Sequence, residues 1–215
     1  LCSGIDRKQV IAIADHGQTV RHFPNTHPAY TLQLHQGARL AEITGIDTIV
    51  DFRSKDLAAG GQGAPLVPAF HQAYFADSQQ YRFIVNIGGL ANISLLSPGS
   101  DTSSFGFDTG PGNTLLDTWC QRHTGKAYDV DGKWSAEGKI NQQLLLHFLN
   151  DEYFGLLPPK STGREYFNPD WLQHKLEQGD FGELSAVDIQ ASLTALTAYS
   201  IAHGISQALN LADIN

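Results

Sequence analysis

The stretch FGFDTGPGNTLLDTW, Phe105 to Trp119, constrains the fold more than any other part of the chain. It sets one acid, Asp108, among Gly106, Gly110, Pro111 and Gly112, and a helix-like run follows. Glycine and proline are the strongest punctuators of local structure, so the stretch predicts a strand-to-helix junction with little side-chain bulk around a carboxylate. Turn former or helix cap are the bland roles for such an acid. The functional role is general base, an acceptor held within hydrogen-bond reach of a hydroxyl or a water. The glycines leave room for a substrate. A helix opening near Asn113 would aim its first N–H groups at an anion. A base beside such a helix end suits phosphoryl transfer, where the protein mostly positions groups and neutralises charge.

The same stretch contains DTG, the start of the aspartic-protease signature. That chemistry needs two carboxylates sharing one proton. The chain holds no second DTG, Pro111 stands where a small Ser or Ala is expected, and much of the remainder reads as helix.

Several polar loops accompany Asp108. Val10–Ala14 is a short apolar run of the kind that forms a buried strand, ending in Asp15, His16, Gln18 and Thr19. Gln36–Thr44 reads as a helix stopped by Gly45. Asp47–Phe52 reads as a strand with Asp51 and Arg53 at its end, and a Gly-rich loop runs from Gly60 into Pro65. Val67–Phe75 reads as a helix. Within Phe83–Leu96, two apolar strands flank Gly88 and Gly89, a pair suited to a tight hairpin because glycine tolerates positive φ. Asn86 and Asn92 bracket that turn, and asparagine is poor in strands, which points to a polar site. Helices are expected at Thr114–His123, Ala136–Leu149, Pro169–Gln178 and Ser185 to about Leu209, the last opening on a capping arrangement. The loop from Pro158 to Trp171 carries Lys160, Arg164 and Glu165, residue types that are most often solvated. Strands first and helices later make an α/β pattern, and such sheets bind ligands at strand ends.

Charge and composition exclude other classes. The net charge of −8, with no Lys/Arg block, argues against a nucleic-acid partner held through phosphates. No apolar run approaches the length of a membrane span. Cys2 and Cys120 cannot make a zinc site by themselves, and Asp15, His16, His22 and His27 match no common metal spacing. No metal ligand is therefore assigned, and a reducing, cytoplasmic setting fits best. The first residues read as mid-chain, and methionine is absent even at position 1, so an internal segment of a longer protein is expected.

Five motifs occur in order: DHGQTVRHFP (Asp15–Pro24), DFRSKDLAAGGQGAPLVPAFH (Asp51–His71), NIGGLANIS (Asn86–Ser94), GFDTGPGN (Gly106–Asn113) and KSTGREYFN (Lys160–Asn168). Together they resemble the bacterial 1,6-anhydro-N-acetylmuramic acid kinases. The resemblance implies an α/β fold of the actin-like, Hsp70 and sugar-kinase superfamily, with two domains around a cleft that closes on ATP. Residues 1–82 would be the remainder of the N-terminal domain and 83–215 the start of the second. The implied reaction opens the 1,6-anhydro ring with water and phosphorylates the freed O6, giving N-acetylmuramic acid 6-phosphate for cell-wall recycling. Asp108 matches the family's base. Asn86, Gly88, Gly89, Gly110, Gly112 and Asn113 would lie on the nucleotide side. His16, Gln18, Thr19, Gly61, Gln62, Gly63, Ala64 and Pro65 would line the sugar side, with Arg164 and Glu165 as further substrate or dimer residues. ATP, Mg2+ and a homodimer are implied. The family's N-terminal Gly-Thr-Ser-like loop and its Gly-rich adenine motif would lie outside this segment. The segment alone is therefore expected to lack a complete ATP site and to be nearly inactive. A related sugar kinase or a non-catalytic actin-like module are the alternatives that the loops leave open.

Overall fold

The computed structural model describes residues 6–99, 104–179 and 181–212; Cys2 lies outside them. The protein is a mixed α/β chain that divides into two compact units, Leu1–Ala64 and Pro65–Asn215. The boundary read from sequence, between 82 and 83, falls inside the second unit.

In the first unit, β1 (Ile13–Ala14) pairs in parallel with β4 (Thr48–Ile49). Both are shorter than the apolar runs suggested. Helix α1 (Gly37–Thr44) leads into β4 and stops as expected at Gly45, which takes φ 58° and returns its N–H to Ala41. Two elements were not anticipated. The polar residues after β1 form a hairpin, β2 (Gln18–Phe23) with β3 (Tyr30–Leu34), kinked by a bulge between Thr19 and Arg21. Period-two alternation in Tyr30–Leu34 is its sequence signal. Arg53, expected at a strand end, instead lies in α2 (Phe52–Ala58), because Asp51 turns the backbone with φ 63° and a helix starts at Phe52.

The second unit is built on an antiparallel meander, β5 (Arg82–Ile87), β6 (Leu90–Leu96) and β7 (Phe105–Pro111). Ile93 and Phe107, paired in register, face helix α8 (Ala186–Leu211). Ile93, Leu95, Phe107 and Ala208 form that core, with Ile201 and Ile205 against it. Gly204 lets α8 close on the sheet, since a Cβ there would stand 2.5 Å from Thr109 Cγ2. The opposite face meets α3 (Pro68–Phe75): Pro68 covers Gly106, and His71 Nδ1 bonds Ser94 Oγ at 2.9 Å. This packing places α3 with the sheet and not with the first unit.

Four more helices bury a larger cluster that includes Leu144, Phe148, Phe167, Leu193 and Leu196. They are α4 (Asn113–Thr124), α5 (Gln142–Leu149), α6 (Glu152–Gly155) and α7 (Pro169–Gln178). Side chains of Asn141, Asp151, Asn168 and Ser185 cap α5, α6, α7 and α8. The single helix expected over Ala136–Leu149 is broken at Gly138, where a Cβ would lie 2.3 Å from Val187 O. The chain there runs extended against α8, with Asn141 N–H donating to Ser192 Oγ at 3.0 Å, and α5 starts afresh at its Asn141 cap. Among the described residues no helix is long and apolar enough to cross a membrane.

Candidate functional site

Antiparallel register brings three polar side chains into one row. Asn86 pairs with Asn92, and Asn92 pairs with Asp108, so all three share the sheet face that α3 also meets. Asp108 is therefore not at a turn but inside β7, only 6% exposed. Its N–H donates to Lys160 O at 3.2 Å, and its own carbonyl accepts the Tyr153 hydroxyl at 2.7 Å. The Thr162 N–H reaches its Oδ2 at 3.0 Å. A carboxylate held at both backbone and side chain is fixed in place.

The clamp on Asp108 is the segment Lys160–Arg164, which opens the fifth motif and carries Lys160 and Arg164, residue types most often solvated. Lys160 and Ser161 are buried. The Lys160 ammonium reaches Tyr153 O at 3.4 Å and lies over the Tyr153 and Phe107 rings. No carboxylate pairs with it among the described residues, and burial pulls its pKa down to about 8. The segment is anchored behind by Asp151, itself buried. That carboxylate accepts the Tyr166 hydroxyl at 2.7 Å, Trp171 Nε1 at 2.9 Å, the Tyr153 N–H at 3.1 Å and Lys175 Nζ at 3.0 Å. Burial alone would raise the Asp151 pKa; the donors, led by Tyr166 and Trp171, overcome it and hold the carboxyl below its usual value. Sequence spacing carried no sign of this hub.

At the Gly88-Gly89 turn the structure corrects two expectations. Neither glycine takes a positive φ. Their smoothness serves close approach instead: a Cβ on Gly89 would lie 2.7 Å from Thr114 Oγ1, and one on Gly112 would lie 2.4 Å from Gly88 O. The first N–H groups of α4 are also not aimed at an anion. Those of Gly112 and Thr114 donate to Gly89 O at 3.0 Å, and that of Asn113 donates to Gly88 O at 2.8 Å. The helix start locks the hairpin. Gly110, with φ 152°, has its open side against Phe154 and Ser200, a packing position. A different pair of groups remains at the turn. Arg164 lies against Gly89 with no ion-pair partner among the described residues, and Thr114 Oγ1 is buried without a hydrogen bond. Gly112→Ala should drive a Cβ into backbone that cannot swing aside and destabilise the protein by about 2 kcal/mol; thermal unfolding against wild type checks this.

In the first unit, Arg53 of α2 joins two parts of the expected sugar side. Its Nε donates to His16 Nε2 at 2.9 Å, and its Nη1 donates to Gly63 O. Because a guanidinium can only donate, His16 Nε2 must accept, so the ring proton sits on Nδ1 and is given to Gly17 O at 2.9 Å. Asp56 holds the loop from the other side, accepting Gly63 N–H at 2.7 Å on Oδ2 and Gly61 N–H at 2.9 Å on its backbone oxygen. Gln62 and Ala64 flank Gly63 in that loop, while Pro65 opens the second unit. Gln18 and Thr19 lie in β2, where Thr19 Oγ1 accepts from Gln33. Glu165 is exposed, and its carboxylate folds back over Gly163.

The five motifs thus gather into one cluster in each unit. A family model described as anhydro-N-acetylmuramic acid kinase matches residues 2–213. Among curated proteins, "Anhydro-N-acetylmuramic acid kinase" of Shewanella loihica is 55% identical over 201 residues, 94% of this chain and 54% of the relative. The protein of that name from Shewanella halifaxensis is 53% identical over 211 residues, 98% of this chain and 56% of the relative. That from Chromohalobacter salexigens is 51% identical over 206 residues, 95% and 54% of the two chains. The chain spans about half the length of the curated relatives it matches.

Proposed function

The chain belongs to the anhydro-N-acetylmuramic acid kinase family, and we propose that it carries the catalytic base of an ATP-dependent kinase that opens the 1,6-anhydro ring of anhydro-N-acetylmuramic acid and phosphorylates O6. The observation that carries the reading is Asp108: a buried carboxylate in a polar row, fixed by Thr162 N–H beside a glycine turn. Fixed geometry is what a base needs to meet water at attack distance. Asp108 takes a proton from water as that water bonds to C1 of the sugar. The C1–O6 bond breaks, and the freed O6 attacks the γ-phosphorus of ATP. The product is N-acetylmuramic acid 6-phosphate.

The residues at the turn suit a polyphosphate. The Arg164 guanidinium and the unpartnered Thr114 hydroxyl both lie against Gly89, a cation and a donor for phosphate oxygens. Asn86, Gly88, Gly112 and Asn113 frame the same turn. Among the described residues no group of three metal-ligating side chains is assembled. A magnesium ion with the nucleotide is still compatible, since Mg2+ keeps several waters and takes one or two carboxylates plus phosphates; it would neutralise charge on the transferring group. His16, Gln18, Thr19 and the Gly61–Pro65 loop are assigned to the sugar by their match to the family, the loop being pre-shaped by Arg53 and Asp56. The two-domain actin-like fold, a cytoplasmic location and a homodimer complete the reading; light scattering of the intact protein checks the dimer.

ADP release by the intact protein, with magnesium-ATP and 1,6-anhydro-N-acetylmuramic acid, tests the function. Release that depends on the sugar supports it, and release unaffected by the sugar sinks it. Arg164→Ala should raise the KM for ATP by roughly 10- to 100-fold, the range expected on losing a charge-assisted contact, with the melting temperature unchanged.

A further inference from the structure

We propose that Asn92 is the second acceptor for the nucleophilic water: Asp108 takes one hydrogen as a proton while Asn92 Oδ1 holds the other. The proposal rests on the reading of Asp108 as base. Asn92 is the middle residue of the row Asn86–Asn92–Asp108, directly opposite Asp108 on the adjacent strand. Side chains so paired project from Cβ atoms about 5 Å apart on one face. Asn92 Oδ1 is buried and has no hydrogen-bond partner among the described residues. Buried acceptors are almost always satisfied, and an exception calls for an explanation such as a catalytic role or a missing partner. Asparagine is also disfavoured in the middle of a strand, so local structure does not account for it.

Two acceptors side by side discriminate between nucleophiles. A sugar hydroxyl has one hydrogen to give and needs only the base. A water has two, and it is oriented only when both are held. With one hydrogen on Asp108 and one on Asn92, the oxygen lone pair is left to point at the electrophile. In the step itself, the O–H bond to Asp108 breaks and the water oxygen bonds to C1. The C1–O6 pair leaves on O6, which bonds to phosphorus as the bond to ADP breaks. Asn92 neither gains nor loses an atom; it is a positioning residue. Its place thus favours ring opening by water over direct phosphorylation of an existing hydroxyl.

Two variants of the intact protein test this. Asn92→Ala should lower kcat about 100-fold, the scale of misplacing a reacting atom, with KM for ATP and the melting temperature near wild type. Asn92→Asp is nearly isosteric and sets a like charge beside Asp108. It should move the acid limb of the kcat/KM–pH profile upward by roughly one unit or more. Titratable or charged groups that bond or lie against this sheet include His71, Tyr153, Lys160 and Arg164, and both variants leave them in place. The limb shift reports that the two side chains face each other, and the Asn92→Ala readout separates the roles: a merely structural Asn92 would lower the melting temperature and leave kcat near wild type. Asn92→Ala turning over within about threefold of wild type, or an unmoved limb in Asn92→Asp while Asp108→Asn is inactive, overturns the proposal alone. Full activity in Asp108→Asn overturns the base and this proposal together.

Discussion

Asp108→Asn is expected to reduce sugar-dependent ADP release by about 1,000-fold or more, within the contribution of a positioned base, while the protein melts close to wild type. The geometry explains why the two effects separate. The bonds at residue 108 include those of its backbone N–H to Lys160 O, its carbonyl to the Tyr153 hydroxyl and Oδ2 to the Thr162 N–H. An asparagine keeps these three, because its amide oxygen can still accept from Thr162. The substitution removes the basic lone pair and the negative charge. Steady-state ADP release and a thermal melt on the same sample measure both halves. A variant that turns over like wild type would show that the carboxylate is merely a strand anchor.

Asp151→Ala is the second large expectation, and its effect is on stability first. The deletion leaves Lys175, the Trp171 indole N–H and the Tyr166 hydroxyl without their shared acceptor. Breaking a buried pair from one side costs about 3–5 kcal/mol. For a chain of this size that lowers the melting temperature by roughly 10 °C. Because the same carboxylate anchors Tyr166, two residues beyond Arg164, the clamp on Asp108 should loosen and turnover should fall with it. The pH dependence follows from the depressed Asp151 pKa. The folded protein binds fewer protons there than the unfolded chain, so the stabilisation is complete above the ordinary value of 3.8 and fades as pH falls below it. Melting curves between about pH 3 and 7 should therefore show a smaller loss of stability on acidification in Asp151→Ala than in wild type. Parallel curves would mean that the hub does not act through its charge.

Local signals in the sequence were sufficient wherever backbone chemistry decided the structure. The apolar strands about Gly88-Gly89, the helix after Gly112, the Pro169–Gln178 helix and the Ser185 cap all stand as expected, because caps, breakers and periodicity act over a few residues. The hairpin β2–β3 was hidden by its polar content: Thr19, Thr31 and Gln33 bond one another within the sheet, so polar residues there do not mark a loop. Likewise Lys160 and Ser161 look like surface residues until Tyr153, Phe107 and the strand edge of Asp108 close over them. The anion-binding reading of the α4 start failed for a related reason. Whether helix N–H groups are free depends on what packs above them, and here the turn carbonyls of Gly88 and Gly89 do. Asp108 and its two asparagines were each visible as residues. Their alignment in one row came only from strand register, which a bulge between Ala91 and Asn92 sets.

The most direct test of the account is the mass of the sugar product formed by the intact protein from magnesium-ATP and 1,6-anhydro-N-acetylmuramic acid. A product that has gained both a water and a phosphoryl group, and that is absent with Asp108→Asn, is the predicted result. A product that has gained the phosphoryl group alone, or ADP formed with the sugar unchanged, would contradict the assignment of Asp108 as the base that opens the ring.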